Sequence, residues 1–310
     1  METTPKPPVW QMSTHRHLVL DRPRLLAILN MTPDSFYAGS RATGPRAALA
    51  LARAAVEAGA DALDIGGEST RPGAARVEAD LQIDRIIPLI RMIRAEPGPL
   101  GEIPISVDTT LPEVAKMALE SGADAINDVS GATEQPEAML ALAAKWGAGL
   151  ILMHRYCPPE EDAYSDRYTR EVADRDIREP VYGDVVTDVR EILVDRAMAA
   201  EAAGVSREAI LLDPGLGFGK TVEQNLELVR ETDDFVATGY PVLSAASRKS
   251  FVGRVSIPEA VQTDPGDRLA GSLAFSVMHL VAGARIFRVH DVAAQREALL
   301  AAWAIRGRAD

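Results

Sequence analysis

The sequence predicts an α/β fold, a single parallel (β/α)8 barrel of the TIM type with an extended loop after the fifth strand. Eight short apolar segments alternate with longer Ala-rich amphipathic segments, which is the pattern of parallel strands joined by helices. Eight strands close a barrel, and a chain of 310 residues has the length that one such barrel requires. A doubly wound open sheet is the alternative that the alternation leaves open.

The predicted elements follow one another in a regular order. The strands are placed at residues 25–30, 62–65, 103–107, 125–127, 149–153, 210–213, 241–245 and 285–289. The helices are placed at residues 45–57, 78–94, 112–121, 136–145, 185–203, 221–231, 267–282 and 291–305. Pro112 and Pro136 suit the first turn of a helix, and Asp291 is expected to cap the last helix.

Two segments fall outside this alternation. Residues 1–23 contain no long apolar run and are predicted to be a flexible lead-in, so that the barrel domain spans residues 24–310. Residues 155–181 are dense in charge and lack apolar periodicity. They are interpreted as a solvated loop after the fifth strand, with a lid or a partner surface as the alternative.

Charge and composition exclude several classes of function. The net charge of −12 argues against nucleic-acid binding, which needs a basic face. No apolar run approaches the roughly 20 residues that a membrane span needs, so no membrane partner is expected. Cys157 is the single cysteine, so no disulfide can form within the chain, and a cytoplasmic location is expected.

Polar residues follow every predicted strand at its carboxyl end. In a (β/α)8 barrel these ends meet at one face, where active sites are assembled. One Asp after a strand is usually a helix cap, but polar groups after all eight strands indicate a binding site. The residues are Asn30, Glu68, Ser69, Thr70, Arg71, Asp108, Asn127, Asp128, His154, Asp213, Ser247, Arg248, Lys249, Ser250, Arg288 and His290.

One subset of these residue types indicates a flat heterocyclic ligand. Asp108, Asn127 and Asp213 supply two carboxylates and an amide, which suit a guanidine-like edge that donates parallel N–H bonds. Lys249 can donate to a ring carbonyl from the opposite side. The sequence therefore predicts a pocket that recognises the edge of a heterocycle by hydrogen bonds.

A second subset indicates an anion subsite. Arg71, Arg288 and His290 can bind an anionic group, with backbone N–H groups at helix starts adding to it. Arg288 and His290 are two residues apart and so point to the same face of an extended chain. Asn30 offers an oxygen that can help to seat a hydrated Mg2+ on a diphosphate.

For some of these side chains a structural role is the alternative. Asp128 suits a helix cap, Glu68 suits a structural ion pair, and His154 suits either the pocket wall or a catalytic role. The glycine-rich segment 213–221 does not match a P-loop, because GxxxxGK[ST] requires a glycine where Pro214 stands. Its glycines are interpreted as positions where the backbone approaches a flat ligand closely.

Seven segments, in order, resemble the dihydropteroate synthase family. They read LNMTPDSF at 29–36, DIGGESTRPG at 64–73, SVDT at 106–109, INDVSG at 126–131, LDPGLGFGKT at 212–221, SRKS at 247–250 and RVHD at 288–291. The likeness extends over residues 24–306. It implies a pterin-binding barrel that condenses 6-hydroxymethyl-7,8-dihydropterin diphosphate with p-aminobenzoate, giving 7,8-dihydropteroate and diphosphate in folate biosynthesis. It also implies Mg2+ as cofactor and a homodimer.

The resemblance implies a role for each matching residue. The pterin is expected to be held by Asp108, Asn127, Asp213 and Lys249, with Phe218 as a wall, and Lys249, Asp108 and Asp213 are expected to be catalytic. The other expected contacts are Thr70, Arg71, Arg288 and His290 to the diphosphate, Asn30 to Mg2+, Ser250 to the aminobenzoate carboxylate, and Phe36 and Pro72 to the second substrate.

The chain departs from the family pattern at three places, one of them the segment Arg76-Val-Glu78 after the second motif, which is slightly atypical. Ala38 stands where the family usually has a carboxylate, and the segment after His154 lacks the usual Met and Gly. These departures keep a second interpretation open, a pterin-binding paralogue with weak or no synthase activity. A pterin-barrel methyltransferase and a Schiff-base aldolase that uses Lys249 are further alternatives.

Overall fold

A ring of parallel strands forms the centre of the protein. The computed structural model describes residues 7–32, 44–168, 179–260 and 263–307. The strands are β1 (Val9–Gln11), β2 (His17–Val19), β3 (Arg24–Asn30), β4 (Ala62–Gly66), β5 (Ile105–Asp108), β6 (Ala125–Asp128), β7 (Gly149–Met153), β8 (Ile210–Asp213), β9 (Leu243–Ser244) and β10 (Ile286–Val289). Within the described residues, β3 to β10 form one eight-stranded sheet in the order β8-β7-β6-β5-β4-β3-β10-β9.

The two outer strands of this order meet and close the sheet into a barrel. Leu212 in β8 forms a parallel bridge with Val242, just before β9, and its N–H donates to the carbonyl of Pro241 at 3.0 Å. This closure confirms the predicted (β/α)8 barrel and excludes the open doubly wound sheet. The register pairs Asp64 with Ser106 in β4 and β5, and it places the strand ends side by side at one mouth.

Helices surround the strands and bury their apolar faces against the sheet. They are α1 (Pro45–Glu57), α2 (Ala79–Ala95), α3 (Pro99–Glu102), α4 (Pro112–Glu120), α5 (Pro136–Trp146), α6 (Val185–Ala202), α7 (Val222–Arg230), α8 (Thr232–Val236), α9 (Ser250–Ser256), α10 (Leu269–Ala282) and α11 (Val292–Arg306). Pro112 and Pro136 lie in the first turns of α4 and α5, as predicted. Each predicted helix is present, with bounds within two residues of those predicted. The short helices α3, α8 and α9 were not predicted, because segments this short carry too little periodicity.

The prediction that the Asp291 side chain caps the last helix is wrong. Asp291 precedes α11, but its carboxylate makes no capping hydrogen bond. It accepts instead from Arg248, with Nε of the arginine at 2.8 Å from Oδ2. Two parallel hydrogen bonds from a guanidinium to a carboxylate are stronger than a hydrogen bond from a neutral backbone N–H. The Asp291 carboxylate therefore pairs with Arg248 rather than with the first turn of α11.

Residues 7–23 differ from the predicted flexible lead-in. β1 and β2 pair as an antiparallel hairpin with Val9 opposite Val19. Trp10 is fully buried, and its Nε1 donates to the carbonyl of Ala209 at 2.9 Å. Together with Met12, the indole packs against inward-facing residues at the amino-terminal end of the barrel strands. The hairpin therefore covers the end of the barrel opposite the active-site mouth, and burial of its aromatic residue explains its order.

The described residues after β7, 154–168 and 179–184, form a loop, and much of it is packed; residues 169–178 of the predicted loop lie outside the described residues. Short 3-10 turns form at Pro159–Glu161 and Ser165–Arg167. Ser165 is fully buried, and its hydroxyl oxygen accepts from Asn225 Nδ2 at 3.1 Å. The prediction of a loop is correct, whereas its description as solvated is wrong for these buried residues. In the described part of the chain, no helix is long and apolar enough to cross a membrane.

Candidate active site

The carboxyl ends of the barrel strands surround a cavity of about 140 Å³. The predicted site residues that line it are Asn30, Thr70, Arg71, Pro72, Phe218, Lys249, Ser250, Arg288 and His290. Asp108, Asn127 and Asp213 are buried at the ends of β5, β6 and β8. Phe36 and Ala38 lie outside the described residues. The structure thus brings residues from distant segments of the chain to one place.

Arg288 lines this cavity and pairs with two buried carboxylates; the buried group of Arg288, Asp64, Asp108, Asn127 and Ser106 is called the floor. Its Nε donates to Asp64 Oδ2 and its Nη2 donates to Asp108 Oδ2, each at 2.6 Å. Asn127 Nδ2 donates to the same Asp64 oxygen at 3.1 Å. Burial raises the pKa of Asp108 to about 7, although the nearby guanidinium of Arg288 acts in the opposite direction. The two carboxylates raise the pKa of Arg288, so the guanidinium stays charged.

Several acceptor atoms on this floor have no protein partner. Among the described residues, Asp64 Oδ1, Asp108 Oδ1, Asn127 Oδ1 and Ser106 Oγ are buried without a hydrogen bond. A buried acceptor without a donor costs about 1–3 kcal/mol. A ligand that presents several N–H groups along one edge removes this cost. These acceptors are of the kind that bind the N–H edge of a polar heterocycle.

Asp64 and Ser106 are functional candidates that the sequence reasoning missed. Both lie inside strands that are buried on both faces, and the polar residues sought were those after the strands. The sequence did contain a signal for Asp64, because a carboxylate within a fully buried strand needs a charged or hydrogen-bonding partner. Arg288 is that partner for Asp64.

Lys249 and Phe218 form one wall. Lys249 Nζ lies 3.9 Å from the centroid of the Phe218 ring, within the range of a cation–π contact. Burial, with repulsion from Arg288, lowers the pKa of Lys249 to about 8. Asp213 Oδ1 accepts from the Gly215 N–H at 2.8 Å, and burial raises the pKa of Asp213. The wall thus offers one amine, on a half-buried side chain, to the cavity.

His290 lines the outer part of the cavity as a neutral ring. His290 is exposed at the rim of the cavity, and desolvation of its ring together with the nearby guanidinium of Arg248 lowers its pKa. Ser247 Oγ lies 3.1 Å from His290 Nδ1 and accepts the His290 backbone N–H at 3.2 Å. This arrangement suits a serine hydroxyl that donates to Nδ1, which leaves Nε2–H as a donor. His290 can therefore donate a hydrogen bond from Nε2–H to an anion at the cavity.

The comparison with known proteins agrees with this geometry. A family described as pterin binding enzyme matches residues 26–290. A dihydropteroate synthase of Synechocystis sp. is 41% identical over 277 residues, which cover 89% of this chain and 88% of that protein. The chain belongs to the dihydropteroate synthase family of pterin-binding enzymes.

Solved structures of this family have the same fold. The dihydropteroate synthase of Xanthomonas albilineans with 4-aminobenzoic acid has a TM-score of 0.83 at 39% identity and covers 97% of this chain and 99% of its own. The dihydropteroate synthase of Thermus thermophilus in complex with 6HMPPP has a TM-score of 0.76 at 39% identity, with coverage of 96% and 99%. The expectation of a barrel of the dihydropteroate synthase family is thus confirmed.

Three polar residues considered in the sequence take structural roles. His154 is buried, does not line the cavity, and its pKa falls to about 2, so it is not a proton donor at neutral pH. Glu68 makes no ion pair among the described contacts; its Oε1 accepts the Val77 N–H at 2.6 Å and holds the loop after β4. Asp128 Oδ1 accepts from the backbone N–H of Ser130 at 2.8 Å, which is a turn rather than a helix cap.

The described residues contain no group of three His, Cys, Asp or Glu side chains that could hold a metal. Asn30 alone offers an amide oxygen at the cavity, beside the Gly66 backbone. A Mg2+ that keeps several waters and is held mainly by substrate phosphates needs few protein ligands. Among the described residues, Asn30 is therefore the side chain at this cavity that suits a hydrated Mg2+.

Proposed function

We propose that this chain is a dihydropteroate synthase, which joins 6-hydroxymethyl-7,8-dihydropterin diphosphate to p-aminobenzoate and releases diphosphate. The observation that carries the proposal is the set of unpartnered buried acceptors on the Arg288 floor, opposite Lys249. The ligands 6HMPPP and 4-aminobenzoic acid, each bound by a solved relative at 39% identity, support the same reaction. A cytoplasmic location is part of this proposal.

The pterin is proposed to lie between the floor and the wall. Its aminopyrimidinone edge carries several N–H groups, which suit Asp108 Oδ1 and Asn127 Oδ1. Asp213 is proposed to accept from the same edge, and Lys249 to donate to the ring oxygen. The Phe218 ring would then cover one face of the flat ligand.

The diphosphate is proposed to lie in the outer part of the cavity. Arg71, Thr70 and the neutral His290 are positioned to donate to its oxygens, and the N–H groups of Arg288 not used by carboxylates can add to them. Mg2+ bound at Asn30 and the phosphate oxygens would neutralise charge on the leaving group.

The chemistry requires the exchange of one bond for another. The C–O bond of the pterin methylene breaks, and its electron pair leaves with the diphosphate. The aniline nitrogen forms the new C–N bond and loses a proton. Positive charge develops on the methylene, so the carboxylates of Asp108 and Asp213 are proposed to stabilise it. No covalent bond to the protein is needed.

The second substrate is proposed to enter from the mouth. Ser250 lines the cavity at the start of α9 and is proposed to bind the aminobenzoate carboxylate. Pro72, on the loop after β4, is proposed to contact the aromatic ring, together with Phe36. Closure of these contacts around the two substrates would exclude water from the reacting carbon.

A homodimer is also proposed, with α10 and α11 as the interface. Their outer faces carry the exposed apolar side chains of Met278, Val281 and Ile305, which are 58%, 56% and 87% exposed. Adjacent exposed apolar groups favour association, and a second copy of the same chain is the partner with a matching face. Light scattering of the wild type and of Met278→Glu checks this, because the added charge should shift the dimer toward monomer.

The experiment that tests the reaction is a coupled diphosphate-release assay with Mg2+ and both substrates. We expect release that requires p-aminobenzoate and yields 7,8-dihydropteroate. Tight binding of the pterin diphosphate in calorimetry without any product would favour the paralogue without synthase activity. The same assay with Ala38→Asp tests whether the missing family carboxylate limits turnover, and a faster variant is expected if it does.

A further inference from the structure

Lys220 ends the glycine-rich segment, and its side chain points away from the cavity into the protein. It is fully buried and does not line the cavity. Its Nζ lies 3.0 Å from the carbonyl oxygens of both Gly215 and Phe218, and 2.9 Å from Nδ1 of His154. A primary ammonium has three N–H donors, which suit these three acceptors, and the carbonyl oxygen of His154 lies further away at 3.4 Å.

The imidazole partner has no other described polar contact at Nδ1. Burial lowers the pKa of His154 to about 2, so its ring is neutral and Nδ1 can accept from the ammonium. Burial also lowers the pKa of Lys220 to about 7, whereas Asp213 acts in the opposite direction. The two carbonyls accept an N–H from Nζ in either charge state, and a neutral amine can accept from a protonated Nδ1. The three contacts therefore persist when Lys220 changes charge.

These contacts hold a segment that is otherwise costly to order. Gly215, Gly217 and Gly219 have φ values of 68°, 78° and 60°, a region that glycine adopts readily but at a high cost in chain entropy. The Gly217 N–H donates to Asn225 Oδ1 at 2.6 Å, so the segment is held at its amides as well. The carbonyls on either side of this amide are those that Lys220 holds.

The segment carries Phe218, whose ring meets Lys249 at the cavity wall. Lys249 Nζ is 3.9 Å from the ring centroid. A Cβ added to Gly217 would lie 3.2 Å from Lys249 Cδ, so the same backbone also contacts the lysine stem. A shift of this segment would thus move both groups that are proposed to face the pterin.

We propose that Lys220 is a positioning residue for the pterin subsite. Its ammonium group bridges the carbonyls of Gly215 and Phe218 to the His154 ring by hydrogen bonds. These bonds hold the glycine-rich segment in place, and so they hold the Phe218 ring against Lys249. This inference rests on the proposed function for its ligand, but the loop geometry it describes can be tested without any substrate.

The first test is amide hydrogen exchange of residues 215–219 in the free protein. Lys220→Met keeps the length of the side chain and removes all its donors, so exchange of this segment should become faster. Lys145→Met is the matched control, because Lys145 is exposed on α5, and it should leave the exchange unchanged. Unchanged exchange in a folded Lys220→Met protein would overturn the proposal.

The second test separates pterin binding from binding of the other substrate. Calorimetry with 6-hydroxymethyl-7,8-dihydropterin diphosphate should show affinity about tenfold lower for Lys220→Met, as expected for one or two lost net hydrogen bonds. KM for p-aminobenzoate should stay near the wild-type value, and Lys220→Gln, which keeps two donors, should recover part of the affinity. An equal loss for both substrates would indicate general damage and contradict a positioning role.

A double-mutant cycle keeps the proposal testable if Lys220→Met folds poorly. His154→Leu removes one acceptor and should weaken pterin binding less than Lys220→Met does. If Lys220 and His154 act through their mutual contact, His154→Leu should reduce pterin affinity less in the Lys220→Gln background than in the wild type. An equal reduction in both backgrounds would show that the two residues do not act through that contact. Wild-type protein that fails to bind the pterin refutes the proposed function, while hydrogen exchange still decides the role of Lys220 in the loop.

Discussion

Arg288 Nη2 lies 2.6 Å from Asp108 Oδ2, although the two residues are 180 positions apart in the chain. β10 and β5 are not neighbours in the sheet, so this ion pair crosses the interior of the barrel. Asp64, on a third strand, shares the same guanidinium. One side chain therefore links three strands and at the same time fixes the orientation of two buried carboxylates.

Loss of Arg288 should damage stability and pterin binding together. Arg288→Met leaves two buried carboxylates without their cation, and breaking a buried pair in this way costs about 3–5 kcal/mol. We expect the free energy of unfolding in urea to fall by this amount. Arg53→Met is the control, because Arg53 is 49% exposed in its pair with Glu96, and an exposed pair contributes about 1 kcal/mol or less. Equal losses in the two variants would contradict the structural role of Arg288.

Lys249 should define the alkaline side of the pH profile. Its pKa is lowered to about 8 by burial, so the ammonium that is proposed to donate to the pterin is lost as the pH rises through this value. We expect kcat/KM for the pterin substrate to fall above about pH 8, since kcat/KM reports the free enzyme. In Lys249→Arg the guanidinium keeps its proton, so the remaining activity should not fall in this range. If kcat/KM of Lys249→Arg still falls above about pH 8 as it does in the wild type, deprotonation of Lys249 is not the cause of the fall.

The order of the barrel elements could be predicted because each signal is local. Proline at helix starts, aliphatic strand segments and polar residues after strands are all read within a few positions. Asp64 could not be assigned in this way, because a strand buried on both faces gives no alternation that shows which side chains face the interior.

The contacts that the sequence did not reveal depend on distant partners. The burial of Lys220 follows from carbonyls and an imidazole that come together only in the folded barrel. The amino-terminal hairpin has strands of only three residues, too short for a period of two to be recognised. Its order comes from the barrel end against which Trp10 packs, which no local pattern encodes.

Trp10 should contribute to the stability of the whole barrel. It is fully buried, and its indole N–H donates to Ala209. Trp10→Ala removes this packing, and truncation of a buried aromatic residue costs about 3–5 kcal/mol. Urea unfolding should show this loss with little change in KM for either substrate, because the hairpin lies at the end opposite the cavity. Trp146→Ala is the control, since this exposed indole should contribute far less. Near-wild-type stability of Trp10→Ala would show that the hairpin is dispensable.

Gly215 should tolerate no side chain, since it combines a positive φ with a close backbone approach. Its φ is 68°, and an added Cβ would lie 1.8 Å from the carbonyl oxygen of His154. The left-handed conformation alone costs an L-residue about 1–2 kcal/mol. In addition, the overlap of the new Cβ with the His154 carbonyl can be removed only if the chain just after β7 or the glycine-rich segment moves. Gly215→Ala should therefore lower the melting temperature and weaken pterin binding in calorimetry.

The matched control for this substitution is Gly183→Ala. A Cβ at Gly183 would meet Asp188 at 3.7 Å, an ordinary van der Waals distance, so stability and pterin affinity should stay near the wild-type values. If Gly215→Ala also keeps both, the segment must shift without cost, and the contact between Gly215 and the end of β7 would not determine the shape of the pterin wall. Loss of pterin affinity at unchanged stability would instead show that the segment moves and that its placement matters for binding alone.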